Sequence, residues 1–182
     1  MKKYILLGLF IIIGLGMGDY AFAAISLNST SSALSAVFPA SPLTWSHNVA
    51  AGADTALVCN GYIDSNVNAT TTSITFNGDS LTKIFDLNAG YNAREISQWY
   101  ISPPDQGNFT VSLAWSGAPP RVAGGCIAID GAASSPEATT TASGSSNAAS
   151  TTITTISDNA WVIDVPLVQD TALIQMIVTT TN

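Results

Sequence analysis

Beyond residue 23, no long stretch of this chain repeats its apolar residues every three to four positions. Several short stretches repeat them every second position. A period of two is the signature of a half-buried strand, because successive side chains leave opposite faces of the backbone. Leu43–Val49 shows it plainly: Leu43, Trp45, His47 and Val49 share one side, Thr44, Ser46 and Asn48 the other. Phe109, Val111, Leu113 and Trp115 alternate with Thr110, Ser112 and Ala114 in the same way. Without helices, such strands bury their apolar faces only by stacking one sheet on another. The expected fold is therefore an all-β, antiparallel two-sheet β-sandwich with a jelly-roll-like topology.

Other segments complete the set. Ala56–Asp64 (ALVCNGYID) puts Leu57, Cys59, Gly61 and Ile63 on one face and Val58, Asn60, Tyr62 and Asp64 on the other. Val122–Ile129 is apolar on both faces, as an inner strand would be. Asn77-Gly78, between Thr72–Phe76 and Ser80–Leu87, predicts a hairpin, since both residues tolerate the positive φ of a type I′ turn. Ala93–Ile101 reads as a strand stopped by Pro103-Pro104. Ile25–Ser35 is Ser/Thr-rich and reads as an extended lead-in. Ala160–Val168 and Ala172–Val178 read as late strands. Between them and the main set, Gly131–Thr152 is low in complexity and nearly free of large side chains, which predicts a flexible Ala/Ser/Thr-rich loop. The expected organisation is a leader over 1–23 and one sandwich domain over 24–182. No closing strand is evident before Asn182, so the expectation includes a truncated fragment lacking C-terminal strands, or a last strand supplied by a neighbour.

The first residues set the compartment. Lys2 and Lys3 precede the apolar run Ile5–Met17, and Ala21-Phe22-Ala23 follows with small residues at the spacing signal peptidase needs. This is the pattern of a secretory signal peptide cut after Ala23, with the remaining chain secreted or at the cell surface. The run is short for a membrane span and carries Gly8, Gly14 and Gly16. No membrane insertion is expected after cleavage. The whole chain has a net charge of −7, and only Lys83, Arg94 and Arg121 are positive after residue 23. A surface so poor in cations offers nothing to nucleic acid or to an anionic bilayer. In an oxidising compartment Cys59 and Cys126 could pair, closing a long loop, or could sit apart as two buried thiols. Ile127 and Ile129 claim one face of the second cysteine strand. The pairing therefore depends on whether the Val122, Gly124, Cys126 and Ala128 side faces the core.

Three blocks carry a resemblance: LTWSHNVAAG followed by ALVCNGYI, then SITFNGDSLTKI, then REISQWYISPPDQGNFTVSLAWSG with RVAGGCIAIDG. They resemble a little-characterised β-sandwich module of secreted bacterial and phage surface proteins. That module is jelly-roll or lectin-like and often repeated within long chains. The similarity spans Pro42 to Gly131, with an echo in AWVIDV, and its motifs mark strands and turns. It implies fold and surface location, with adhesion or carbohydrate binding as the expected role. The module lacks the two cysteines.

The chemistry-bearing residues are few. His47 is the only histidine and lies on the apolar side of its strand, which suits a hydrogen-bonded core residue better than a general base. Asp64, Asp86, Glu95 and Asp130 stand in or at the ends of strands, and an acid/base pair among them would have to face across a cleft. No catalytic residue is expected. Asp64–Asn68 and Asp86–Asn92 hold enough side-chain oxygens to make calcium the one cofactor considered. The tryptophans fall mostly on core-facing positions. Tyr62, Asp64 and Tyr91 are therefore the candidate ligand-binding residues, Tyr62 on the polar face of its strand and Tyr91 in a loop. The expected function is a non-catalytic module binding a glycan or surface polymer. The alternative is a self-assembling structural subunit completed by a neighbouring strand.

Overall fold

The computed structural model describes residues 24–64, 69–89, 94–143, 150–157, 160–165 and 177–180. The strands are β1 (Ser26–Ala36), β2 (Leu43–Val49), β3 (Ala56–Asp64), β4 (Thr71–Phe76), β5 (Asp79–Ser80), β6 (Thr82–Ala89), β7 (Arg94–Ile101), β8 (Gly107–Trp115), β9 (Arg121–Asp130), β10 (Trp161–Asp164) and β11 (Ile177–Thr180). They form a five-stranded sheet in the order β1-β9-β3-β7-β6 and a four-stranded sheet in the order β2-β8-β4-β5, with β10 and β11 pairing separately. All pairings are antiparallel. From β1 to β4 each strand crosses to the other sheet, and β7, β8 and β9 retrace the path to pair with β3, β2 and β1. That is the winding of a jelly roll, with β6 added at one edge. No described helix is long and apolar enough to cross a membrane.

The two sheets share a core built from the alternation read in the sequence. Val49 of β2, Val111, Leu113 and Trp115 of β8, and Ile74 and Phe76 of β4 face Leu57, Cys59 and Ile63 of β3, Trp99 of β7, and Val122, Cys126 and Ala128 of β9. Each large aliphatic side chain buried here contributes about 1.5–3 kcal/mol. Cys59 and Cys126 stand directly opposite on β3 and β9, and they are joined by a disulfide with a Cα–Cα distance of 4.1 Å. The small residues of β9 do face inward, which leaves room for the bond. Trp99, opposite Cys59 on the other flank, lies in the same core, with the Lys83 ammonium 4.8 Å above its ring.

Three segments differ from the sequence expectation. The lead-in is strand β1, paired with β9 along its length. Its weak apolar signal has a packing reason: Ser29 and Ser31 meet His47 and Trp45 of β2, which supply the bulk on that side and take the serine hydroxyls as hydrogen-bond partners. The hairpin turn forms at Asn77 (φ 52°) and Gly78 (φ 90°), but its second strand stops after Ser80. Leu81 is buried between the sheets with its N–H bonded to Ile74 O, and the chain then crosses to β6 in the other sheet. The outer face of the five-stranded sheet is also covered rather than solvated. Trp161 and Ile163 of β10, with Ala132, pack on Ala56, Val58, Ile127 and Ile129.

The described part of the low-complexity segment has no strand. Its two limbs are held together where Glu137 accepts from the N–H groups of Ile156 and Ser157 and where the Thr140 and Thr151 hydroxyls meet at 3.2 Å.

Candidate functional site

One end of the sandwich gathers the residues that the core leaves unexplained. The register places the end of β1, the end of β3 and the start of β9 side by side, with Ala36 and Asp64 both opposite Arg121. The start of β7 adjoins them, Arg94 pairing with Ala89 at the end of β6.

Val37 and Phe38 follow β1 here, 80% and 69% exposed, and both have positive φ, 69° and 48°. Left-handed backbone costs an L-residue roughly 1–2 kcal/mol, and a β-branched valine is among the residues least suited to it. The Phe38 N–H donates to Pro120 O at 3.1 Å, which fixes the corner against the turn before β9. The fold thus strains two adjacent residues and leaves their apolar side chains in water. The sequence reading passed over this pair. Its signal was two large apolar residues before Pro39 with no alternating partner.

Asp64 ends β3 with its carboxylate 3.1 Å from the Arg94 Nε, both side chains largely covered. Arg121 lies across from it, exposed, with no ion pair among the described residues. Tyr62 is corrected by the structure. It is only 3% exposed and packs among Ile96, Ala123, Phe85 and Leu87 of the nearby strands β7, β9 and β6. Burial first, then the Asp64 charge, pushes its hydroxyl above the usual tyrosine pKa, with Arg94 and Arg121 pulling the other way. Tyr91 lies outside the described residues, in the loop between β6 and β7. The structure therefore keeps Asp64 at this end, removes Tyr62 from solvent, and adds Val37, Phe38, Arg94 and Arg121.

Beneath the same end, Glu95 is fully buried on the inner face of β7. Its Oε1 accepts from the Thr71 N–H at 2.7 Å, while Oε2 and the Thr71 hydroxyl have no hydrogen-bond partner. Glu95 pairs with Ile63 and so shares its inner face, whereas Asp64 belongs to the outer face. The two carboxylates do not face one another across a cleft. Asp86 is held by Lys83 at 2.8 Å. No group of three or more His, Cys, Asp or Glu stands ready for a metal ion among the described residues; positions 65–68 and 90–93 of the two calcium candidate loops lie outside them.

No family model matches the chain, and neither a curated protein nor a solved structure is similar to it.

Elsewhere His47 and Asp130 are engaged in structure. His47 is buried, its Nδ1 2.7 Å from the Ser31 Oγ and its Nε2 3.2 Å from the Ser29 Oγ. Trp45 Nε1–H donates to the same Ser31 oxygen, so Trp45, Ser31, His47 and Ser29 form one hydrogen-bonded chain between β2 and β1. Burial lowers the His47 pKa. At the opposite end of the sandwich Asp130 accepts from Asn28 and Thr55 and ties β1 and β9 to the loop before β3.

Proposed function

We propose that this chain is a secreted or cell-surface, non-catalytic β-sandwich that binds a glycan or other surface polymer through the loop end at Asp64. The observation that carries this reading is the Val37–Phe38 corner, two exposed apolar residues on left-handed backbone beside Arg121 and the Asp64–Arg94 pair. Strain of this kind persists where surrounding structure enforces it, and it concentrates at sites of recognition. A flat aromatic ring beside ionic and hydrogen-bonding groups suits a sugar, which has one apolar face and a rim of hydroxyls. Adhesion is the corresponding biological role. The test is a glycan array probed with micromolar protein in calcium-containing buffer, beside Phe38→Ser. Binding by the natural protein that disappears in the variant is expected; a blank array overturns the reading.

A second reading is a self-assembling subunit. Edge strand β1 has no charged residue and no proline, and it exposes Leu27 (55%) and Leu34 (69%). Unprotected edges of this kind invite strand addition. Light scattering decides it: concentration-dependent multimers support assembly, and a stable monomer removes it.

A further inference from the structure

We propose that the polymer bound at the loop end carries carboxylates: an acidic glycan whose carboxylate is gripped by Arg121 while its apolar ring face lies on Phe38. This rests on the reading of that end as a binding site and names the class of ligand it takes.

The argument begins with where the few cations stand. The chain has a net charge of −7, and its only positive residues after position 23 are Lys83, Arg94 and Arg121. Lys83 is committed to Asp86 and to the face of Trp99. The other two come to the same end of one sheet, around a single carboxylate, Asp64. Arg94 takes that carboxylate. Arg121, directly opposite Asp64 in the β3–β9 ladder, is exposed and has no ion pair among the described residues. On the outer face this group of Asp64, Arg94 and Arg121 is net positive by one charge, with Glu95 buried beneath it on the inner face, on a chain that is otherwise acidic.

An arginine suits this task better than a lysine would. Its planar fork meets a carboxylate with two parallel hydrogen bonds, and it sheds water more readily than an ammonium. The neighbouring backbone supplies the rest of the site. Ala36 is opposite Arg121, and Phe38 is bonded to Pro120, so the exposed ring and the guanidinium are presented from adjoining chain. A carboxylated sugar ring matches both. The acidic remainder of the protein repels a polyanion at a distance, so attraction is confined to this end and weakens with added salt.

The test uses an array bearing uronate- and sialate-containing glycans, the methyl esters of the same glycans, and neutral glycans. The natural protein is expected to bind the acidic members at least ten-fold more strongly than their esters, with affinity falling between 50 and 500 mM NaCl. Arg121→Gln, an exposed change whose folding is checked by its unfolding midpoint, is expected to lower acidic binding to the ester level. Arg121→Lys is expected to fall between. Equal binding to acids and esters, or undiminished acidic binding by Arg121→Gln, overturns the carboxylate assignment and leaves the glycan reading standing. A wholly blank array overturns both.

Discussion

Trp45 closes over Gly124. A Cβ added to Gly124 would lie 2.6 Å from the Trp45 Cη2, inside the sandwich core. The next residue, Gly125, faces the other way, and a Cβ there finds its nearest atom, Ser31 O, at 3.4 Å. Gly124→Ala is therefore expected to destabilise the fold by about 1–3 kcal/mol through overpacking. Gly125→Ala should stay near the parent value. Urea midpoints of the pair test this; equal midpoints would refute the contact.

The Cys59–Cys126 bond spans 67 residues. The chain-entropy account assigns a loop of that length about 4 kcal/mol. Replacing both cysteines by alanine is expected to lower the unfolding free energy by that order, with part of the loss arising from the missing sulfur packing. A double variant as stable as the parent would show that the reduced chain is already constrained.

His47 makes stability depend on pH. Its folded-state pKa is lowered from 6.5 by burial, so near and below 6.5 the unfolded chain binds more protons than the folded one. The contribution is fully present above pH 6.5 and is lost as pH falls from 6.5 towards the folded value. Unfolding midpoints from pH 8 to pH 5 should decline over that window. His47→Gln should flatten the decline. An unchanged slope would place the titration on another group.

The Val37–Phe38 corner trades stability for exposure. Asparagine tolerates left-handed backbone better than a β-branched residue, so Val37→Asn is expected to raise stability by roughly 1 kcal/mol. The same change should weaken polymer binding. A variant that is more stable and binds equally well would mean that the valine takes no part in recognition.

Most of the sandwich was legible because its strands are half-buried. Leu43–Val49 and Phe109–Trp115 write their inner and outer faces directly into the alternation. β1 was not legible, since its core-facing positions hold Ser29 and Ser31 and the bulk on that side comes from Trp45 and His47 of another strand. Tyr62 was misread for a related reason. Alternation distinguishes two faces, but it does not show that large apolar side chains of nearby strands, Ile96, Phe85 and Leu87, crowd the second one. Of the candidate site, Asp64 is legible from its place at a strand end. Phe38 and Arg121 are not, because they are brought together by a ladder between distant segments and by one backbone hydrogen bond.

The jelly-roll winding also sets an order of events. β1 has one partner, β9, and the Asn28–Asp130 contact at the end of that ladder joins residues 102 positions apart. A chain made from its first residue onward must keep β1 and one flank of β3 waiting until β9 exists. The Ser29 and Ser31 contacts with His47 and Trp45 are near-sequence contacts that β1 has in the meantime, and the loop closure that joins β1 to β9 comes before most of the packing it permits. Long-range pairing of this kind slows folding and leaves strand edges exposed until the late strands arrive. Shielding the young chain over that interval, by a chaperone or by rapid synthesis, should govern its yield more than any single core substitution.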